Sequence, residues 1–231
     1  MSFSLQIGGL TPLTSTDFPG CLAAVVFCQG CPWRCGYCHN PHLIPPRGEH
    51  PLAWPDVAAF LQRRRGLLDA VVFSGGEPTL QQGLDAAIGE TRALDFRVGL
   101  HTGGTYPERL AGLLPQLSWV GMDIKTGFDD YERVTGVPGS GERARESALS
   151  LLAGGVPHEF RTTVHPLYHS RESLLALASE LRQMGVRDYV LQEFRPQGCA
   201  DGSLAGHAAL LDDELCGQLG AMFERFSVRS A

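Results

Sequence analysis

LAAVVFCQGCPWRCGYCHNP (residues 22–41) opens as a run of small and β-branched apolar residues ending in Cys28 and passes directly into a loop that holds three more cysteines. Leu22–Cys28 is apolar throughout, the pattern of a strand buried on both faces in a parallel sheet. In α/β folds the loops at the C-terminal ends of strands carry the chemistry, so the cysteine loop marks a site. Cys31, Cys35 and Cys38, in C-x3-C-x2-C spacing, can hold three irons of a cubane and leave the fourth without a protein ligand, the open position a reactive centre needs. A zinc site would instead use Cys28-x2-Cys31 with Cys35-x2-Cys38, although only three residues separate those pairs, fewer than zinc sites usually leave. A closed electron-transfer cluster is the third reading, with a spacing unlike the ferredoxin runs.

Working outward, the same strand-then-helix pattern repeats. AVVFS (70–74), FRVGLHT (96–102), WVGMDI (119–124), HEFRTTV (158–164) and DYVLQEF (188–194) read as further strands. Helical patterns fall at 54–65, 80–94, 105–114, 141–155 and 170–185, with a final helix expected over 212–226. Ser170 is a candidate N-cap with Ser173 three residues on, and Gly185 a candidate C′ residue. Six strand–helix units imply one α/β domain with a mostly parallel sheet over 22–194. Residues 1–21 form an N-terminal hairpin or edge extension, and 195–231 a C-terminal helical segment. Periodicity alone leaves a doubly wound sheet and an incomplete barrel both open.

Composition narrows the function. The 231 residues carry a formal charge of −6, so no basic field points to nucleic acid. The longest apolar run is too short to span a membrane, and MSFSLQIGGL lacks the basic and apolar regions of a secretory signal, which predicts a cytoplasmic protein. Seven cysteines, an odd number, argue against a disulfide framework. Lys125 is the only lysine among 19 Lys and Arg residues. An ammonium retained where arginine replaces lysine elsewhere suggests a position that a guanidinium does not fill.

FSGGEP (73–78) follows the second strand of this series. Gly75 and Gly76 permit close backbone approach, and Glu77 offers an acceptor to an ammonium or hydroxyl. A Gly-Gly turn is weak alone and gains weight one strand from the cysteine loop. Asp123 and Lys125, two apart on a strand, point the same way; such charge pairs at strand ends favour sites, the alternative being a structural ion pair.

Together, Cys31-x3-Cys35-x2-Cys38 with Tyr37, and Gly75-Gly76-Glu77-Pro78, resemble the radical S-adenosylmethionine superfamily. More narrowly, IGGLTPLTSTDFPG (7–20), CQGCPWRCGYCHNPHLI (28–44), SGGEPTLQ (74–81) and MDIKT (122–126) resemble the activating proteins of anaerobic ribonucleoside-triphosphate reductase, glycyl-radical-enzyme activases, over about residues 5–196. The resemblance implies a partial (βα)6 barrel and a [4Fe-4S] cluster on Cys31, Cys35 and Cys38. It implies S-adenosylmethionine chelating the open iron, with Tyr37 near the adenine and the Gly75–Gly76–Glu77 edge at the methionyl amino group. Asp123 and Lys125 match residues lining the cofactor and radical site, and Arg161 falls where relatives carry an arginine near the cofactor. The implied reaction is reductive cleavage to a 5′-deoxyadenosyl radical that takes a hydrogen from a glycine of the partner reductase. An electron donor such as flavodoxin would supply the electron.

Activation of another glycyl-radical enzyme, or small-molecule chemistry such as deazapurine synthesis, keeps the chemistry and changes the substrate. A zinc- or cluster-bearing interaction protein without catalysis is the reading from another class. One departure stands out. Relatives show Asp-Thr-Asn-Gly after the third strand, where this chain has His101-Thr102-Gly103-Gly104. A neutral imidazole is a poor ligand for the alkali cation that the Asp helps hold, so His101 is expected to contact the cofactor carboxylate itself, beside Thr102, the alternative being a capping histidine that hydrogen-bonds nearby backbone. Cys28 reads as a buried small hydrophobe or a ligand in the cofactor-free state. Trp33 reads as a shield over the cluster or as loop packing, and His165 as a residue reaching the ribose.

Overall fold

The apolar runs become strands that line up in sequence order. The structure, a computed structural model, describes residues 5–207 and 209–230, so residues 1–4, 208 and 231 of the expected terminal segments lie outside the described residues. The strands are β1 Ile7–Thr14, β2 Ala23–Cys28, β3 Ala70–Gly75, β4 Arg97–Thr102, β5 Trp119–Asp123, β6 His158–Val164, β7 Asp188–Glu193 and β8 Arg225–Arg229. They form one sheet in the order β1 to β8, with β1 antiparallel to β2 and every later pair parallel. The sheet does not close: β1 and β8 are its two edges.

Among the described residues seven α-helices pack around the sheet: α1 Trp54–Gln62, α2 Leu84–Ala93, α3 Pro107–Leu113, α4 Tyr131–Thr135, α5 Ser140–Ala153, α6 Arg171–Met184 and α7 Asp213–Gly220. Each strand from β2 to β7 is followed by such a helix, the right-handed crossover pattern of an α/β barrel. Strand residues alternate between two cores. Val26, Val71, Phe73, Val98, Leu100, Val120 and Met122 face the helices. Ala23, Val25, Ala70, Val72 and Trp119 face the interior, where Phe18 from the β1–β2 turn joins them. Small inward residues make room for that plug: a Cβ on Gly99 would come within 2.9 Å of the Phe18 ring.

Local signals set the helix ends. The Ser170 side chain accepts from Ser173 N–H and the Ser173 hydroxyl from Ser170 N–H, a reciprocal cap, and Gly185 closes the helix at φ 98°. The helix expected from residue 80 begins at Leu84, because Pro78–Leu80 forms a 3-10 turn first. The terminal helix is also shorter than expected. It ends at Gly220, and RFSVR (225–229) runs on as β8, parallel to β7. Phe226 and Val228, two apart, pack on the core, a period of two that suits a strand. The segment 195–231 is therefore not helical throughout. Among the described residues no helix is long and apolar enough to cross a membrane.

Candidate functional site

The C-terminal ends of the parallel strands converge on one cavity of about 260 Å³. Cys31, Cys35 and Cys38, with Tyr37, enter it from the loop after β2; Gly75, Gly76 and Glu77 from the end of β3; His101 and Thr102 from β4; Asp123 from the last residue of β5 and Lys125, expected on that strand, from just past its end; and Arg161 from β6. All of these line the same space. Cys28 does not. It is fully buried in the outer core, where burial pushes its thiol far above the ordinary range. A four-cysteine zinc site would lack that ligand.

The cysteine loop is held from two sides. Gly30 N–H donates to Leu43 O at 2.7 Å and Cys31 N–H to Ile44 O at 3.1 Å, while Arg34 N–H and Gly36 N–H reach Thr135 O and Val134 O at the end of α4. The three loop cysteines stay half-buried and unpaired with any disulfide. Burial, with the Glu77 carboxylate nearby, pushes the Cys31 thiol up to about 12, and burial raises Cys35 as well. These groups remain protonated until a metal displaces the protons.

Gly75 and Gly76 serve the protein before any ligand. A Cβ on Gly75 would meet Cys28 N and O at 2.5 Å, and one on Gly76 would meet Gly30 O at 2.3 Å. Only glycines let this turn lie directly against the cysteine loop. Glu77 is likewise spent internally. Its Oε1 accepts from Thr79 N–H at 3.0 Å, Thr79 Oγ1 at 2.6 Å and Thr102 Oγ1 at 2.8 Å, and Oε2 accepts from Gly103 N–H at 2.9 Å. Its carboxylate ties the β3 turn to the end of β4. Trp33 sits over that junction: a Cβ on Gly103 would come within 2.7 Å of its ring.

Asp123, Lys125 and Arg161 form a charged wall. Lys125 Nζ donates to Asp123 Oδ2 at 3.0 Å and Arg161 Nε to Asp123 Oδ1 at 2.8 Å. Register explains the second contact, since Asp123 and Arg161 are direct partners across β5 and β6. Burial alone would raise the Asp123 carboxyl, but the Arg161 guanidinium and the Lys125 ammonium outweigh it and hold it well below the usual carboxylate range. Burial likewise opposes the Lys125 charge, and Asp123 more than offsets it, so the ammonium is held charged. The backbone of Lys125 is gripped on both sides: its N–H donates to Tyr131 Oη and its carbonyl accepts from His169 Nε2, both at 2.9 Å.

His101 lines the cavity with both ring nitrogens engaged. Nε2 donates to Asp17 O at 2.9 Å and Nδ1 accepts from Ser74 Oγ at 3.3 Å. Burial, with Arg161 close by, brings its pKa down to about 3, so the ring is neutral. His165 does not reach the site. It is buried elsewhere, its Nε2 donating to Leu204 O at 2.9 Å and its Nδ1 accepting from Leu167 N–H at 3.1 Å, because β6 ends at Val164 and the turn carries it away.

Sequence reasoning missed Asp17, Thr163 and Gln192, which also line the cavity. Thr163 is two residues past Arg161 and could have been found by strand alternation. A second cavity of about 540 Å³ adjoins the first, bounded by Thr16 and Asp17 beside β1 and by Arg229 and Ser230 at β8. It lies in the gap where the sheet fails to close.

The model of the radical SAM superfamily matches residues 25–181, and the chain belongs to that superfamily. It is accordingly a radical SAM enzyme, of a family that works with a [4Fe-4S] cluster and S-adenosylmethionine. Within the superfamily its relatives include activating enzymes. The chain is 30% identical over 204 residues to a protein of Methanocaldococcus jannaschii named as a glycyl-radical enzyme activating enzyme, covering 84% of this chain and 82% of that one. It is 30% identical over 194 residues to the pyruvate formate-lyase-activating enzyme of Clostridium pasteurianum, covering 78% and 77%. Its fold is similar to that of Streptococcus suis SuiB, in a structure bound to S-adenosylmethionine, with TM-score 0.67 at 13% identity, covering 88% of this chain and 48% of that one.

Proposed function

We propose that this chain installs a glycyl radical on a partner enzyme, and that the partner is anaerobic ribonucleoside-triphosphate reductase. The observation that carries the reading is the lateral cavity. It joins the cofactor cavity through the gap between β1 and β8, giving a polypeptide segment a side approach to the reacting centre. An enzyme acting on a small molecule more often encloses it under a lid. The motifs 7–20, 28–44, 74–81 and 122–126 support the choice of reductase. The 30% identity to the Clostridium enzyme favours a second reading, in which the partner is a pyruvate formate-lyase.

The donor set fits the cofactors. Cys31, Cys35 and Cys38, half-buried at the cavity wall with Cys28 excluded, hold the cluster and leave one iron for S-adenosylmethionine. When bound, the pair supplies the one-electron chemistry that removes a hydrogen atom from carbon. The protein's own work is positional. Tyr37 forms the wall beside the adenine. Gly75 and Gly76 shape the edge facing the methionyl amino group, with Glu77 bracing it from behind. Lys125 and Arg161 present cations to the amino-acid carboxylate, and Asp123 sets their spacing. His101 and Thr102 close the side, His101 as a neutral wall. The electron comes from a small one-electron donor such as flavodoxin, in a reducing cytoplasm.

The test is anaerobic incubation of the reduced, cluster-reconstituted protein with S-adenosylmethionine and the reductase. The expected result is 5′-deoxyadenosine together with a doublet radical signal on the reductase in paramagnetic resonance. Cofactor cleavage with no radical on the reductase overturns the choice of partner. A radical on pyruvate formate-lyase in a parallel arm establishes the second reading.

A further inference from the structure

We infer that the outer face of the cysteine loop, at Arg34, Arg133, Leu167 and Tyr168, is where an acidic one-electron carrier protein docks; this rests on the reading above that a small donor supplies the electron. A carrier protein cannot enter a cavity of about 260 Å³, so the electron must cross the loop that walls it. One flank of that loop, at Gly30 and Cys31, is covered by the backbone of Leu43 and Ile44. The stretch from Arg34 to Gly36 is held from below by Thr135 O and Val134 O, and Arg34 is exposed.

Tyr168, in the turn after β6, joins this stretch to the surface. A Cβ on Gly36 would overlap the Tyr168 hydroxyl, so the phenol lies directly against the loop between Cys35 and Cys38. Its ring packs edge-on against Tyr37 with centroids 5.3 Å apart, and Tyr37 lines the cofactor cavity. Tyr168 is half-buried, and Leu167 beside it is 51% exposed. Electron transfer through protein falls steeply with distance and is poorer across gaps than through packed atoms. A carrier seated on Leu167 and Tyr168 is parted from the cysteines by one aromatic side chain and the loop backbone.

Two arginines make the face basic around its apolar centre. Arg34 Nη1 donates to Cys31 O at 2.8 Å and to Trp33 O at 3.0 Å. Arg133 donates to Leu167 O at 3.0 Å and to Tyr168 O, with its guanidinium 5.9 Å from the Tyr168 ring centre. Carbonyls fix both groups without cancelling their charge, and among the described residues neither forms an ion pair. Asp201 bears on the Tyr168 phenol, but its Oδ1 is turned to the Ser203 N–H and hydroxyl. Glu132 lies about 100° round α4 from Arg133. On a chain of charge −6, such a basic spot selects one approach for an acidic carrier. The carrier loses one electron and the cluster gains it, as reductive cleavage of the sulfonium requires.

The test uses the cluster-reconstituted protein with oxidised flavodoxin as the probe, so that binding is read by calorimetry without electron transfer. Wild type should bind at low salt and weaken as salt rises. Leu167→Glu adds a negative charge to the face and removes no side-chain hydrogen bond. It should weaken binding about tenfold, the lower end of electrostatic steering. Arg34→Gln should weaken it several-fold and flatten the salt dependence. With reduced flavodoxin, formation of 5′-deoxyadenosine should slow in the same order. With photoreduced deazariboflavin, a small uncharged reductant that needs no docking face, both variants should change far less. Arg34 braces the cysteine loop, so if Arg34→Gln loses iron, Leu167→Glu alone decides.

A Leu167→Glu protein that binds flavodoxin and takes its electrons as wild type does overturns the inference and leaves the donor reading standing. Equal slowing with both reductants also overturns it, placing the defect at the cluster. So does loss of binding to the reductase with flavodoxin binding intact, which would give the face to the partner enzyme. If wild type neither binds flavodoxin nor takes electrons from it while the deazaflavin drives cleavage, the docking face and the donor reading fall together.

Discussion

Lys125 Nζ lies 3.0 Å from Asp123 Oδ2, two residues away on the same face of the chain, while Arg161 takes the other oxygen of that carboxylate at 2.8 Å. The carboxylate therefore spaces two cations along the cavity wall. Lys125 is the chain's only lysine, and its backbone is fixed by Tyr131 and His169. Lys125→Arg keeps the charge but replaces a compact ammonium with a wider planar fork. Displacing a reacting group by about 1 Å costs on the order of 100-fold in rate. The variant should fold with unchanged melting temperature and cleave S-adenosylmethionine 10- to 100-fold more slowly, on the order set by that misplacement. Wild-type rates of 5′-deoxyadenosine formation would return Lys125 to an accident of composition.

Metal content separates the cysteines. Replacing Cys31, Cys35 or Cys38 with Ala removes a ligand that faces the cavity. Cys28→Ala removes a buried thiol that does not. After anaerobic reconstitution, wild type and Cys28→Ala should both hold about four irons with sulfide. Each of the other three variants should lose most of its iron. One zinc per chain, or loss of metal in Cys28→Ala, would point back to the four-cysteine arrangement.

How much of this was legible in the sequence depends on the distance over which each feature is decided. The cap at Ser170 and Ser173 and the left-handed Gly185 are local, and were readable. So were the six apolar strands, because burial on both faces leaves few polar residues in the run. The role of Glu77 was not, since its partners Thr102 and Gly103 lie 25 and 26 residues away, on another strand. That Gly75 and Gly76 permit a close approach is local and readable, whereas the backbone they lie against, that of Cys28 and Gly30, is more than 40 residues back in the chain and was not. Thr163 and Gln192 are common residue types with no motif, and only the β6–β7 register brings them together. β8 was hidden because a five-residue edge strand with exposed Arg225 and Ser227 resembles the polar end of a helix.

Two glycines test whether close packing of the turns is what requires them. A Cβ on Gly76 would meet backbone atoms, Gly30 O at 2.3 Å and Leu43 O at 2.8 Å, and backbone cannot rotate away. Gly76→Ala should destabilise the protein by about 3 kcal/mol or more, the upper end for overpacking. Gly89, inside α2, has nothing within 4 Å of a Cβ. Gly89→Ala should stabilise by about 0.5–1 kcal/mol through helix propensity. Urea unfolding of both variants checks the pair, and equal effects would refute the packing argument.

The neutral ring of His101 gives the protein a pH signature. Burial, with Arg161 beside it, holds its pKa at about 3 in the folded state, against about 6.5 in an unfolded chain. The unfolded state then binds a proton that the native state refuses. The stabilising contribution is fully present above pH ~6.5 and is lost progressively as pH falls from ~6.5 toward ~3. His101→Gln removes this titration, while its side-chain amide nitrogen, placed where Nε2 was, can still donate to Asp17 O, the partner of Nε2 in the wild type. Wild type should therefore lose stability faster than the variant on acidification. The difference in slope should approach about 1.4 kcal/mol per pH unit below pH ~6, with groups common to both proteins cancelling. Urea unfolding between pH 7 and pH 5 (roughly the window between the two pKa values) measures it. Parallel slopes would show that the ring protonates equally in both states, and that His101 is not the closed, uncharged wall assigned to it. The same wall predicts cofactor cleavage that is indifferent to potassium, because a neutral imidazole with both nitrogens engaged offers no ligand to a hard alkali cation.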